Sequence, residues 1–333
     1  MEHIMKTTRK VFVAGAANAA RSAIVNSLLA RGLSEDQIDT KDAHELDLCD
    51  QAAVRSYLRQ SVPDQIYITS GDLGSPANTD QRRGSHLSEA MLAPVQLIQE
   101  ALYAGVRKLL FIASDQVYGG CPVLPCSEED MAFAQPDPLR NPLAQAHIAS
   151  IRLCEAYTHE FGEVLDLAYR SVVVGNMFGG ECFSRTSNVS GLTALMRHIH
   201  QAKLFKLSSV SIPSSVLRRE DWLHVNDMAE ACIGVLGMAD PIHNALTRPN
   251  RPHLNVGSGR VCTGLELAHA VAKTVGYKGD LNVEDSQEKG TQDGLLDATR
   301  MRSTGWQPHV SLDIGLARMY RDYKAQGRKL TSA

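Results

Sequence analysis

No apolar run in the sequence approaches the ~18 residues of a membrane-crossing helix, so no such helix and no membrane partner is predicted. Neither sign of charge dominates. The 34 Lys and Arg against 37 Asp and Glu leave a net −3, which implies no general attraction to nucleic acid or to anionic lipid. There is no CxxC pair. The seven cysteines, Cys49, Cys121, Cys126, Cys154, Cys182, Cys232 and Cys262, are scattered and odd in number. That pattern argues against a disulfide framework and predicts reduced thiols. Cys121 and Cys126 share a Gly/Pro-rich loop, but nothing near them makes a metal-ligand set, and no metal is expected. The opening MEHIMKTTRK passes into a strand without an apolar signal core, so a cytoplasmic location is expected. Internal repeats and low-complexity tracts are also missing.

What is present is ordinary for a globular chain, with 44% hydrophobic and 21% charged residues over 333 positions. That length suffices for one large domain or two unequal ones. Buried-strand patterns at Lys10–Gly15, Gln65–Thr69, Lys108–Ala113 and Leu165–Val174 alternate with helical ones at Arg21–Arg31, Ala52–Gln60, Leu87–Ala104 and Pro142–Phe161. A short strand is expected at Gln37–Thr40. This alternation predicts an α/β protein, a Rossmann-type doubly wound parallel sheet wrapped by helices. After Gly175 the pattern changes. Helices are expected at Asn188–Ala202, Asp227–Met238, Gly264–Val275 and Leu312–Lys324, strands at His253–Val256 and Leu281–Val283, and an irregular Ser-rich stretch at Lys206–Leu217. We therefore expect a nucleotide-binding domain over residues 8–175, completed by later strands, and a smaller C-terminal substrate lobe over 176–325.

The helix opened by NPLAQAHIAS places Leu143 and His147 four residues apart on one face. Upstream, KVFVAG ends a strand at Gly15, and KLLFIAS ends another at Ser114. These segments, with HELDLCD, DQIYITSGDLGSPAN, WLHVNDMAEACIGV, HLNVGSG and LLDATRM, occur in an order that resembles the extended short-chain dehydrogenase/reductases, and among them the GDP-L-fucose synthases. The resemblance covers roughly Lys10–Tyr323. It implies NADP or NAD as cofactor, a GDP-linked deoxyhexose as substrate, and a homodimer built on the helices 87–104 and 142–161, or a heteromer with an active paralogue.

Four sites follow from the resemblance. The family's phosphate loop is GxxGxxG, which lets backbone N–H groups approach a pyrophosphate. Here it reads Gly15-Ala16-Ala17-Asn18-Ala19-Ala20-Arg21, with one glycine of the three. Asn18 tolerates positive φ. Arg21 either crowds the third glycine's place or swings out to bind phosphate. Ala17 replaces a basic residue that reads the ribose phosphate. Lys41 is a substitute for it, while Asp39 favours a free ribose hydroxyl. The implied cofactor residues are Gly15, Asn18, Arg21, Lys41, Asp47, Leu48 and Ser70. At the catalytic face, Ser114 matches the family's serine, but Leu143 and His147 stand where its Tyr-x-x-x-Lys pair should be. Leucine has no proton to give. His147 is expected to hold a ribose hydroxyl or to titrate near neutrality, or else to be a solvated or packed helix histidine. At the epimerisation pair, Gln116 and Ser190 replace a cysteine and a histidine. Asp115 is the nearby carboxyl for general acid work, with loop capping as the alternative. At the diphosphate clamp, Glu220, Asp293 and Gly294 fall on cationic positions, leaving Asn176 and Arg219 as substrate ligands.

The expected function is a GDP-L-fucose-synthase-like nucleotide-sugar protein lacking the hydride-transfer machinery. The alternative is an active epimerase/reductase with relocated catalysts drawn from Ser114, Asp115, Tyr118 and His147.

Overall fold

The computed structural model describes residues 9–69, 79–119, 121, 123–136, 142–180, 191–212, 219–284 and 294–331. In chain order the elements begin with β1 (Val11–Ala14), α1 (Ala19–Ala30), β2 (Ile38–Asp39), α2 (Gln51–Ser61), β3 (Gln65–Thr69) and α3 (Thr79–Tyr103). They continue with β4 (Lys108–Ser114), α4 (Pro142–Leu165), β5 (Ala168–Val174), β6 (Asn176–Phe178) and α5 (Gly191–Leu204). Next come β7 (Ser209–Ile212), β8 (Arg219–His224), α6 (Val225–Gly237), α7 (Asp240–Leu246), β9 (Leu254–Val256) and β10 (Val261–Thr263). The last are α8 (Gly264–Val275), β11 (Asp280–Val283), α9 (Thr299–Ser303) and α10 (Leu312–Thr331).

The large sheet has six strands in the order β2-β1-β3-β4-β5-β9, with every pairing parallel. Such strands lose solvent on both faces, and every residue of QIYIT and AYRSVVV is buried, Gln65, Arg170 and Ser171 included. Alternate side chains feed two cores. Phe12, Leu109 and Phe111 join Leu58, Leu97, Ile98 and Ile151 on the α2–α3–α4 side. Val11, Val13, Leu110 and Ile112 join Ile24, Leu28, Met228 and Val235 on the α1–α6 side. A third core ties α5, β7, α8 and α10 through Met196, Ile199, Val210, Val271 and Leu316.

Helix α3 begins at Thr79, eight residues before the expected Leu87. Two further expectations change. Helix α4 continues to Leu165 and β5 starts at Ala168, with Asp166 turning the chain at φ +54°. Leucines flank Asp166 on both sides, and that aspartate was the one polar mark of the boundary. The Ser-rich stretch expected to be irregular contains β7, which pairs in parallel with β11. Its serines face outward while Val210 and Ile212 are buried, so alternation and not composition held the signal. Among the described residues, no helix is long and apolar enough to cross a membrane, and no group of three or more His, Cys, Asp or Glu gathers to hold a metal ion.

The sheet order reverses at β1, with β2 on one side and β3 on the other. The crevice above that point, at the C-terminal ends of the strands, is where an open α/β sheet receives its ligand.

Candidate functional site

The crevice begins at Gly15, which takes φ +116° at the end of β1. A Cβ there would meet the Thr69 carbonyl oxygen at 2.2 Å, so the close approach of β1 and β3 demands glycine. Asn18 does not adopt positive φ. It sits extended at φ −125° and caps α1, its Oδ1 accepting from the Arg21 amide. The Arg21 side chain folds back over the loop. Its guanidinium donates to the Gly15 carbonyl at 3.1 Å, to the Lys41 carbonyl at 3.2 Å and to Asp42 Oδ1 at 2.6 Å. Lys41 pairs with Asp39 at 3.4 Å and Glu45 at 3.8 Å, while Asp39 also accepts from the Tyr57 hydroxyl at 2.6 Å. Asp47 accepts from the Cys49 amide at 2.8 Å, and Leu48 packs against the α2–α3–α4 core. Ser70 lies outside the described residues.

The catalytic face is built where β4 ends beside α4. The Ser114 amide donates to His147 Nδ1 at 3.1 Å, and its hydroxyl donates to Asp115 Oδ1 at 3.0 Å. Leu143 and His147 are both buried. His147 meets Phe111 edge-on, and burial pushes its pKa down to about 4. The expectation that it titrates near neutrality is therefore corrected. The ring is neutral at pH 7 because nothing charged stands by to compensate its desolvation. Asp115 heads a short 3₁₀ turn, with its carboxyl under Gly175 and Gly294. Burial pushes that carboxyl up to about 6; the Ser114 hydroxyl opposes this, and the charges of Glu220 and Asp221 reinforce it. Tyr118 is buried beside the end of β4. Its hydroxyl, deep in the core, donates to Asn255 Oδ1 at 2.7 Å and lies 2.6 Å from His253 Nε2, and burial raises its pKa.

Asn176, near Asp115 across Gly294, opens β6, and exposed Arg219 opens β8, one strand beside the other. Glu220 bridges to Gly294, whose amide donates to the Arg219 carbonyl at 3.1 Å. Arg218, Asp293 and Ser190 lie outside the described residues. His224 and Asp227 serve the scaffold. His224 caps α6 by accepting from Asn226, and Asp227 accepts from the amides of His309 and Val310 at 3.0 and 2.9 Å. Sequence reasoning missed Asp221, which is buried and accepts from the Ser258 and Gly259 amides at 2.9 and 3.1 Å. Only the glycines of VGSG hinted at a tight turn needing such an anchor. It also missed the buried Glu128, paired with Arg300 and accepting from the Asn255 amide at 3.1 Å. Its partners come from a distant stretch of chain, and no local pattern marks them.

A parallel sheet reversing at β1, with a glycine turn feeding α1, defines a nucleotide-binding α/β protein of the short-chain dehydrogenase/reductase type. Residues 11–257 match the NAD dependent epimerase/dehydratase family, and the chain belongs to that family. It is 34% identical to GDP-L-fucose synthase of Escherichia coli K12, over 94% of this chain and 96% of that one. It is 30% identical to GDP-L-fucose synthase of Sinorhizobium fredii, over 95% of each. Among solved structures it is similar to a GDP-mannoheptose C4 reductase from Campylobacter jejuni with NADP bound, at 27% identity and TM-score 0.84, covering 96% of this chain and 99% of that one. A UDP-glucose 4-epimerase from Thermus thermophilus, 22% identical at TM-score 0.71 over 92% and 96% of the two chains, shares the fold.

Proposed function

We propose that this chain is a nucleotide-sugar-binding protein, for a GDP-linked deoxyhexose, that does not transfer hydride. The relatives named for GDP-L-fucose synthesis support the ligand class. The observation that carries the loss is the face of α4 toward Ser114. Leu143 supplies no proton, and His147 is neutral, buried and committed through Nδ1 to the Ser114 amide. The family's description and its NADP-bound neighbour support NADP or NAD as the dinucleotide for which the crevice was shaped. The groups now lining the crevice do not suit that occupant, because Arg21, Lys41 and Asp39 are tied to one another's surroundings. No chemical step is therefore assigned to a nicotinamide. A homodimer through α3 and α4, or a heteromer with an active paralogue, is the assembly that fits this role, with a cytoplasmic location.

The test is direct. Purified protein is given a GDP-4-keto-6-deoxyhexose with NADPH or NADH, and cofactor absorbance is followed. No oxidation is expected, while GDP sugars raise the melting temperature by mass action. Stoichiometric turnover would overturn the reading.

A second reading rests on Asp115. A carboxyl held at about 6 beside the Ser114 hydroxyl is suited to general acid or base work on a sugar without redox change. Solvent deuterium exchange into a bound 4-keto sugar nucleotide, abolished by Asp115→Asn, would establish it. Absence of exchange in the parent protein would dismiss it.

A further inference from the structure

We infer that Arg21 is a latch that fills the ribose end of the crevice and keeps a nicotinamide dinucleotide out. The inference rests on reading the crevice as the family's dinucleotide site. In this fold the adenosine ribose enters between the C-terminal ends of β1 and β2, and an acidic residue at the end of β2 takes its hydroxyls. The Arg21 guanidinium spans that gap. It donates to a carbonyl at the end of β1, that of Gly15, and to a carbonyl just past β2, that of Lys41. Asp42, one residue further, balances its charge. The side chain is only 12% exposed, so it is lodged and not waving in solvent. The acid at the end of β2, Asp39, is engaged as well, by the Tyr57 hydroxyl and the Lys41 ammonium. A dinucleotide must break all three Arg21 bonds and move a planar cation whose fork already fits its acceptors. The geometry also explains an otherwise awkward residue. A bulky side chain three residues into α1 would block pyrophosphate approach, and here it is turned into a strut between two strand ends.

The latch is tested on the full chain by isothermal titration with NADPH and NADH, comparing the parent with Arg21→Gly, Arg21→Ala and Asp42→Ala. The parent is expected not to saturate at millimolar cofactor. Arg21→Gly and Arg21→Ala are expected to bind at least about tenfold more tightly, and Asp42→Ala to gain less. Asp42→Ala leaves the loop untouched, so a gain in that variant alone supports the latch if the Arg21 variants do not fold. Micromolar binding by the parent, or weaker binding by the Arg21 variants because Arg21 is instead a phosphate ligand, overturns it. This readout is binding only. A latch that fails by it leaves the proposed absence of hydride transfer standing, and turnover is the separate assay that decides the latter.

Discussion

The amide of Ser114 donates to Nδ1 of His147 across 3.1 Å, joining the end of β4 to the second turn of α4. An accepting Nδ1 puts the ring proton on Nε2, so the bond selects both tautomer and orientation. Through that bond His147 ties the end of β4 to α4.

Replacing His147 with alanine removes that acceptor and opens a cavity beside Phe111. A loss of about 2–4 kcal/mol in urea unfolding is expected. His147→Asn, which can present an oxygen near the place of Nδ1, should recover part of it. Equal losses in the two variants would show that the bond contributes nothing.

Acid should unfold the protein early. Burial pushes His147 and His243 down to about 4 and His253 to about 3. For each, the unfolded chain titrates near 6.5, so below that pH it binds a proton the native state refuses. The stabilisation present above 6.5 is lost as pH falls through the window toward 4. Asp115 works the other way, because its raised value of about 6 favours the native state at low pH and disfavours it as pH rises. Burial raises Glu128 and Asp221 in the same sense as Asp115 and lowers His200 and His224 in the same sense as the other three, so five histidines oppose three carboxyls and melting temperature should fall between pH 7 and 4.5. His243→Gln, which removes a buried ring with an unpartnered Nε2, should flatten that fall.

Glu128 is 1% exposed, accepts from the Asn255 amide and pairs with Arg300. Glu128→Ala leaves the buried Asn255 amide without its acceptor and Arg300 with Glu129 as its remaining partner, and should cost about 1–3 kcal/mol. Chemical denaturation of this variant beside Glu128→Gln, which keeps an acceptor, measures the cost. The glutamine should be the milder change.

Two glycines separate steric crowding from backbone strain. Gly15→Ala places a methyl 2.2 Å from the Thr69 oxygen at φ +116° and should cost at least about 3 kcal/mol. Gly32 has φ +93° and nothing within 4 Å of its added Cβ, so Gly32→Ala should cost only about 1 kcal/mol. Melting curves that rank them in the opposite order would contradict the close approach of β1 and β3.

The scaffold was legible because parallel strands buried on both faces leave apolar runs such as QIYIT, and helices leave stripes such as that of Ile24 and Leu28. Strand β7 was misread because its buried residues are only Val210 and Ile212 among serines. The candidate site was legible as a set of positions but not in its state. Sequence singled out Leu143, His147 and Arg21, yet it left open whether His147 was charged or packed. That depends on desolvation and on the Ser114 amide, which lies 33 positions away. The fold-back of Arg21 depends on carbonyls of two separate strand ends, and the Glu128–Arg300 pair on residues 172 apart. Periodicity carries no information about such partners.

Strand β9, the sixth of the large sheet, consists of residues 254–256, whereas its neighbour β5 is complete at Val174. During synthesis at about 5–20 residues per second, β5 therefore waits several seconds on the ribosome as a bare, valine-rich edge before its partner emerges. An exposed apolar edge is a template for pairing with another chain. Expression yield should therefore depend on elongation speed across the segment between them, and synonymous codons that slow that stretch should favour aggregation without changing the finished molecule.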